Sequence, residues 1–154
     1  MKTQMTFSVL ALIFCFLAAS VSSGQPWRGW RGSGGWGMGS RYQRMYNPAT
    51  METVAGEIVK IEREIPFHGM SYGIHLLVKT TQGTIPVHLG PEWFIERLDM
   101  KLSVGDAVEV KGSRVTFEGK PAIIAAEIKK GDSVIVLRNS AGIPVWAGRG
   151  ARMR

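Results

Sequence analysis

The chain has 154 residues, a formal net charge of +7 and one cysteine, Cys15. The two ends carry the positive charge, because residues 51–146 hold 11 lysines and arginines against 12 aspartates and glutamates. A nucleic-acid-binding domain is expected to carry its basic residues on the folded unit. The charge pattern therefore argues against nucleic acid as the partner of the folded part.

Residues 1–22 are predicted to be a secretory signal peptide. Lys2 precedes an apolar run over residues 7–19, and small residues follow that run. The run is shorter than the roughly 20 residues that span a bilayer, so no stable membrane anchor is expected after cleavage. Cleavage would also remove Cys15, which excludes disulfides, thiolate metal sites and cysteine nucleophiles from the mature chain. The predicted location is periplasmic or secreted.

Residues 23–45 are predicted to form a disordered leader rich in glycine, tryptophan and arginine. Its glycine content makes ordering costly in backbone entropy, and it has almost no aliphatic residue. Its tryptophans Trp27, Trp30 and Trp36 would stack on bases, sugars or lipid headgroups. The alternative is a solubilising spacer with incidental aromatic residues. At the other end, residues 148–154 are predicted to be a basic tail.

The strongest local pattern is a β-hairpin over residues 73–90, with its turn predicted at Gln82-Gly83. Strand alternation assigns a core face to Ile74, Leu76, Val78, Ile85, Val87 and Leu89. The predicted turn makes Leu77 face His88. The two histidines, His75 and His88, are then diagonal neighbours on the other face, about 7 Å apart.

The remaining elements predict an all-β domain with one short helix over residues 46–147. The first strand starts at Met51 and changes phase near Ile58-Val59, which indicates a β-bulge. A helix is predicted over residues 91–98, because Pro91 suits the first helical position. Two further strands follow, the first of them with a parity shift at Gly112, and residues 133–138 and 143–146 form an appended C-terminal hairpin. This order predicts an OB-fold-like five-stranded barrel, with an SH3-like barrel as the alternative.

No enzymatic motif is present, so the chain is predicted to be a non-enzyme. The candidate metal ligands are His68, Met70, His75 and His88. Imidazole with thioether suits Cu(I), and imidazole by itself suits Cu(II), Zn or Ni, so Cu or Zn would be the ion and no cofactor is certain. The adjoining ligand face is predicted to hold Tyr72, Leu77, Lys79 and Trp93. The alternative is that the histidines are half-buried sheet residues and that Met70 fills a gap.

Four stretches carry a resemblance to a group of exported bacterial OB-like proteins that is similar to the domain of MamS/MamX-type magnetosome proteins. They are Tyr46-Asn-Pro-Ala-Thr-Met-Glu-Thr-Val-Ala-Gly56, Gly69-Met-Ser-Tyr-Gly-Ile-His-Leu-Leu-Val-Lys79, Val87-His-Leu-Gly-Pro-Glu-Trp93 and Gly112-Ser-Arg-Val-Thr-Phe-Glu-Gly-Lys-Pro-Ala122. The resemblance spans about residues 46–147 and implies a role near metal handling or periplasmic redox. The haem-binding Cys-x-x-Cys-His motifs of some such proteins are missing here, which argues against electron transfer by this chain.

A looser resemblance links the chain to the periplasmic copper/silver chaperones and, in plan only, to stress-induced periplasmic OB-fold proteins. The chaperones hold Cu(I) with one histidine, two methionines and a capping tryptophan. The resemblance implies those roles for Met70, His75 or His88, and Trp93, although the chaperones' Met-x-Met pair is missing here.

These observations predict a non-enzymatic periplasmic OB-fold binding module with a metal-handling His/Met cluster on the face of strands 2 and 3. One alternative is polyanion or nucleic-acid binding through the leader. The other is a structural domain that docks a protein partner and binds no small ligand. The partner is thus an unknown protein or a metal ion, and the sequence leaves the oligomeric state open.

Overall fold

The structure is a computed structural model that describes residues 34–147. Two short 3-10 helices are followed by six strands and one α-helix. In chain order the elements are Gln43–Met45, Pro48–Thr50, β1 (Met51–Glu64), β2 (Gly73–Thr80), β3 (Gly83–Pro91), α1 (Glu92–Ile95), β4 (Ala107–Phe117), β5 (Lys120–Lys130) and β6 (Ser133–Val136). The predicted signal peptide and basic tail lie outside the described residues. None of the helices within residues 34–147 is long and apolar enough to cross a membrane.

The strands form one sheet in the order β3-β2-β1-β4-β5-β6, and a parallel contact between β3 and β5 closes it into a barrel. That contact joins Val87 to Ile123 and His88 to Ile124, and every other strand pair is antiparallel. This arrangement is that of the OB-fold: β1 pairs with both β2 and β4, β3 and β5 close the barrel, and a helix precedes β4. The predicted fold class is therefore confirmed.

Two bulges bend the strands where the sequence pattern changes phase. In β1 the register shifts between Ile58 and Lys60, and in β4 it shifts between Lys111 and Gly112, both as predicted. Two glycines permit the close approach that the bends require. A Cβ at Gly56 would overlap the carbonyl oxygen of Lys79, and one at Gly112 would overlap that of Ile124. Because of the bends, β1 and β4 can each pair with two neighbouring strands, and the sheet can close into a small barrel.

The barrel interior is filled by aliphatic side chains from all six strands and their flanks. The predicted hairpin core is confirmed for Leu76, Val78, Ile85, Val87 and Leu89, which are buried, whereas Ile74 is half-buried. β5 departs from simple alternation, because all five residues from Ala122 to Ala126 are buried. Both faces of this strand are therefore covered, one by the barrel interior and the other by chain outside it.

The predicted hairpin register is wrong by two residues. The turn is Thr81–Gln82, with Thr80 opposite Gly83, so that Leu77 faces Pro86 and His75 faces His88. The Thr80 hydroxyl explains the choice, since it accepts from the Gln82 amide at 3.1 Å and donates to the Gly83 carbonyl at 2.8 Å. A shift of two residues keeps each side chain on its face, so the face assignment survives while the pairing changes.

The predicted disordered leader is also wrong from residue 34 onward. Residues 34–46, here called the N-terminal strap, lie against the barrel, and Trp36 and Tyr42 are each 1% exposed. The Trp36 indole donates to the Ser71 carbonyl at 3.1 Å, and the ring lies where Gly73 has no side chain. Two large aromatic rings anchor a segment whose local composition gives no sign of order.

The helix and the C-terminal hairpin differ in extent from the prediction. α1 has four residues and continues in turn-like bonds from Arg97 to Phe94 and from Leu98 to Ile95. The appended hairpin is confirmed by a bridge between Arg138 and Pro144, with further bonds around residues 139–142. Its first arm, β6, also pairs with β5 and so extends the sheet.

Candidate functional site

The two histidines on the face of β2 and β3 pair directly across the strands and stack. Their ring centroids are 3.8 Å apart and their planes are 10° from parallel. The Phe117 ring packs edge-on against His88 at 4.7 Å. His75 is 3% exposed and His88 1% exposed, so the pair is buried. It lies on the face of the hairpin opposite the barrel core.

Both imidazoles are held neutral by their surroundings. Burial lowers the pKa of His88 to about 3, and the positive charge of Arg138 and the second imidazole act in the same direction. Burial also lowers the pKa of His75, although Glu64 opposes the shift by placing a carboxylate oxygen 2.9 Å from Nδ1. Within residues 34–147 neither His75 Nε2 nor His88 Nδ1 has a hydrogen-bond partner. Buried polar atoms of this kind destabilise the fold, because they have lost hydrogen bonds to water and have formed none within the described chain.

The N-terminal strap covers the histidine pair. The Tyr42 ring is stacked on His88 at 6.0 Å and 8°, and Trp36 packs edge-on against Tyr42 at 4.7 Å. The carbonyl of Trp36 accepts a bond from the Trp146 indole at 3.0 Å, which ties the strap to the C-terminal hairpin. Sequence reasoning missed Tyr42 altogether and assigned Trp36 to the leader. The buried Trp36 is no longer free to stack on bases, which leaves only Trp27 and Trp30 of the leader, outside the described residues, for that role.

A buried guanidinium lies next to this cluster. Arg138 is 1% exposed and donates from Nη1 to the carbonyls of Leu89 (3.2 Å) and Ala125. Its carbon Cζ lies 4.9 Å from the Trp146 ring, and no carboxylate among the described residues pairs with it. Burial lowers the pKa of Arg138 and raises that of the neighbouring Tyr42 hydroxyl. Two carbonyls and an aromatic face thus take the place of a counter-ion.

The other predicted ligands differ from the buried histidine pair in that they are exposed or half-buried. His68 is exposed and Met70 half-buried in the loop before β2; Tyr72 and Lys79 are exposed, and Leu77 and Trp93 half-buried. The described part of the chain contains no group of three or more histidine, cysteine or acidic side chains suited to a metal ion. An ion bound through an imidazole lone pair lies near the ring plane, and two parallel stacked rings share no such position. The stacked arrangement therefore does not fit one shared ion, and metal binding here stays a prediction.

A second candidate site is a cavity of about 220 Å³ between the barrel strands and the segment 95–102. We call it the barrel-end cavity. Its walls are aliphatic: Ile61, Ile74, Leu76, Leu89, Ile95, Leu98, Met100, Leu102, Ile128, Ile135 and Leu137. Among the described residues that line it, the polar ones are Glu96 and Lys101, both largely exposed. The cavity was not predicted from the sequence, although the alternation of Leu98, Met100 and Leu102 after the helix is a usable signal.

Comparisons with known proteins place the chain in a family. No curated protein matches it. Among 28 matching solved chains, one from the S. pombe Stn1-ten1 complex is 16% identical, with a TM-score of 0.43 and coverage of 54% of this chain and 59% of that one. The alignment thus spans less than two thirds of that chain. The dimeric N-terminal domain of the PriB protein from Thermoanaerobacter tencongensis is 20% identical, with a TM-score of 0.38 and coverage of 56% and 97%.

The family match confirms the resemblance seen in the sequence. The sequence profile of the MamS/MamX magnetosome protein family matches residues 50–135, from the start of the barrel to β6. Since this match covers more than half of the 154 residues, the chain belongs to the MamS/MamX magnetosome protein family.

Proposed function

We propose that this chain is a non-enzymatic OB-fold binding module that acts outside the cytoplasm and holds the apolar part of its ligand in the barrel-end cavity. The observation that carries the proposal is an aliphatic cavity of about 220 Å³ in a small domain. A well-packed small domain leaves few apolar hollows of this size, and this one opens to solvent at one side. An enclosed cavity of about 150 Å³ with similar walls takes up benzene, so this open one has room for a somewhat larger apolar group.

Apolar contact in the cavity predicts weak binding. At a volume of roughly 30 Å³ per methylene, taken as similar to that of a water molecule, the cavity holds about seven methylenes. Each buried methylene contributes about 0.8 kcal/mol, which gives a gross gain of about 6 kcal/mol. Association costs at least about 4 kcal/mol, so the net gain is about 2 kcal/mol at most, and a plain hydrocarbon group would bind with a Kd of roughly tens of millimolar or weaker.

The test uses 1-octanol as an uncharged apolar probe of the full mature chain. Octanol at concentrations up to its solubility limit occupies only part of the sites, so it should cause small shifts that grow in proportion to its concentration in the amide NMR signals of residues 95–102 and of the facing β5 residues. Met100→Trp should abolish the shifts because the larger ring enters the cavity. The matched control is Val104→Trp, at a position 63% exposed and outside the cavity lining. Equal octanol responses in both variants would rule out the cavity as the binding site.

The exported location rests on the predicted signal peptide over residues 1–22. Its test is fractionation of a bacterium that expresses the full chain, with mass measurement of the product. We expect a periplasmic or secreted product shortened by about 22 residues. A full-length cytoplasmic product would contradict this part of the proposal.

Metal handling through His68, Met70, His75 and His88 is the second candidate function. The contact between Glu64 and His75 Nδ1 favours it, because metal-binding histidines commonly hold their second nitrogen on a carboxylate. The stacked rings would have to turn out of contact to reach one ion. Untagged protein titrated with Cu and Zn tests this candidate, with a His75→Ala/His88→Ala double variant as comparison. Unchanged affinity in a folded double variant would exclude these histidines.

A further inference from the structure

The mouth of the barrel-end cavity carries an unpaired positive charge. Lys101 is exposed and donates from Nζ to the backbone carbonyl of Glu96 at 2.8 Å. No carboxylate in the described chain lies within ion-pair distance of its ammonium group. The second charge at the mouth, Glu96, forms no ion pair with the described residues; Arg63 is paired with Glu92 and attracts Glu96 only at longer range. The mouth thus presents a cation whose partner is a carbonyl and not an acid.

A second ammonium group nearby has its own partner. Lys130 donates to the Lys101 carbonyl at 3.0 Å and pairs with Asp106 at 2.7 Å. Its charge is therefore largely neutralised within the protein. Lys101 remains the group at the mouth that is able to meet an anionic ligand.

The side chains inside the cavity determine the chemistry of the inserted part of the ligand. Apart from the two at the mouth, the described lining side chains have no donor, and the Met100 thioether is a weak acceptor. Burying a polar group or a peptide backbone there without hydrogen bonds would cost several kcal/mol. The inserted part of the ligand is therefore a plain hydrocarbon chain, and the polar part stays at the mouth.

From this combination of an aliphatic cavity with a lysine that has no ion-pair partner in the described chain we infer that the ligand is a single-chain anionic amphiphile, such as a medium-chain fatty acid, with its carboxylate at Lys101. The inference rests on the proposed function and specifies the ligand class for the same cavity. About seven methylenes fill the cavity, which corresponds to a chain of about eight carbons including the carboxylate.

The experiment compares three probes of equal chain length below their micelle-forming concentrations: octanoate, 1-octanol and octylammonium. Their affinities for the mature chain are measured by NMR titration at low and at high salt. Octanoate should bind about threefold to fivefold more tightly than octanol at low salt, as expected for one partly exposed ion pair, and octylammonium should bind most weakly. High salt should remove the advantage of octanoate.

Substitutions assign the effect to one residue. Lys101→Gln should bring octanoate down to the affinity of octanol and leave octanol unchanged, whereas Lys101→Arg should keep the preference. Lys111→Gln is the matched control, since Lys111 is an exposed lysine on β4, outside the cavity lining. Equal binding of octanoate and octanol, or a preference for octylammonium, would overturn the inference and leave the cavity intact. Absence of binding by all three probes would overturn the proposed function itself.

Discussion

His75 and His88 lie directly opposite each other on β2 and β3, with ring centroids 3.8 Å apart and planes nearly parallel. Because both rings are buried, a proton on either one would face the other ring without water to screen its charge. Among residues 34–147, Glu64 is the one carboxylate bonded to the pair, and it reaches only His75. The pair is therefore stable as two neutral imidazoles, and acid should weaken the fold around it.

The first prediction concerns the free energy of unfolding as a function of pH. The pKa of His88 is about 3 in the folded chain, against 6.5 for the unpaired group, and that of His75 is also lowered. Unfolding therefore takes up protons below about pH 6.5, so stability is full above that pH and falls as the pH drops toward 3. Between pH 6 and pH 5 the loss should be about 1 kcal/mol, measured by urea unfolding.

Two variants separate this effect from general acid sensitivity. His88→Phe keeps a ring between Tyr42 and His75 and should reduce the pH slope between 6 and 5. His68→Gln removes an exposed histidine and should leave the slope unchanged. The pH window matters, because the contacts of Asp106 with Lys130 and with the Ser103 amide lower the pKa of that carboxyl, and its titration contributes at lower pH. A slope that His88→Phe leaves intact would mean that another group takes up the proton.

The second prediction concerns Tyr42. Its ring lies parallel to that of His88, and its buried hydroxyl lies beside the Arg138 guanidinium without a hydrogen bond of good geometry within the described chain. Tyr42→Ala should lower the free energy of unfolding by about 3 kcal/mol through the lost ring. Tyr42→Phe keeps the ring and removes a buried polar atom, so its stability should lie within about 1 kcal/mol of the original. Equal losses in both variants, measured by denaturant unfolding, would show that the hydroxyl is bonded in solution.

The third prediction concerns the stability of a filled cavity. Met100→Trp should raise the free energy of unfolding by about 1 kcal/mol, because the added ring atoms gain contacts that the cavity walls lack. Differential scanning calorimetry measures the change. Val104→Trp adds the same ring at an exposed site and should change stability by less than about 0.5 kcal/mol. A loss of stability in Met100→Trp would mean that the cavity is too narrow for the ring.

The sequence was sufficient for the features that local patterns determine. Strand alternation identified the hairpin core, and the phase changes near Ile58 and Gly112 located both bulges. The hairpin turn was missed because a threonine hydroxyl at Thr80, which bonds around the turn, outweighed the preference for a turn at Gln82-Gly83. The contact between His75 and His88 depends on that register. Strand alternation without the correct turn therefore could not predict the geometry of the site.

The strap was missed for a different reason. Apart from each other, Trp36 and Tyr42 pack on residues 25 or more positions away, so no local window contains those partners. Composition measures the cost of ordering a glycine-rich segment, but not the distant surface that offsets this cost. The barrel-end cavity was not predicted for a similar reason, since its walls come from five strands, the helix and the segments that follow α1 and β6.

The fourth prediction tests the strap by truncation. A chain of residues 34–147 should fold, because it retains both buried rings and the bonds of Trp36 to Ser71 and Trp146. A chain of residues 46–147 should lose several kcal/mol of stability, since it exposes His88 and the space beside Arg138 to water. Circular dichroism with thermal unfolding compares the two chains, and a further chain of residues 24–147 serves as the reference. If the 46–147 chain matched the reference in melting temperature, the strap would be a dispensable cover and not part of the fold.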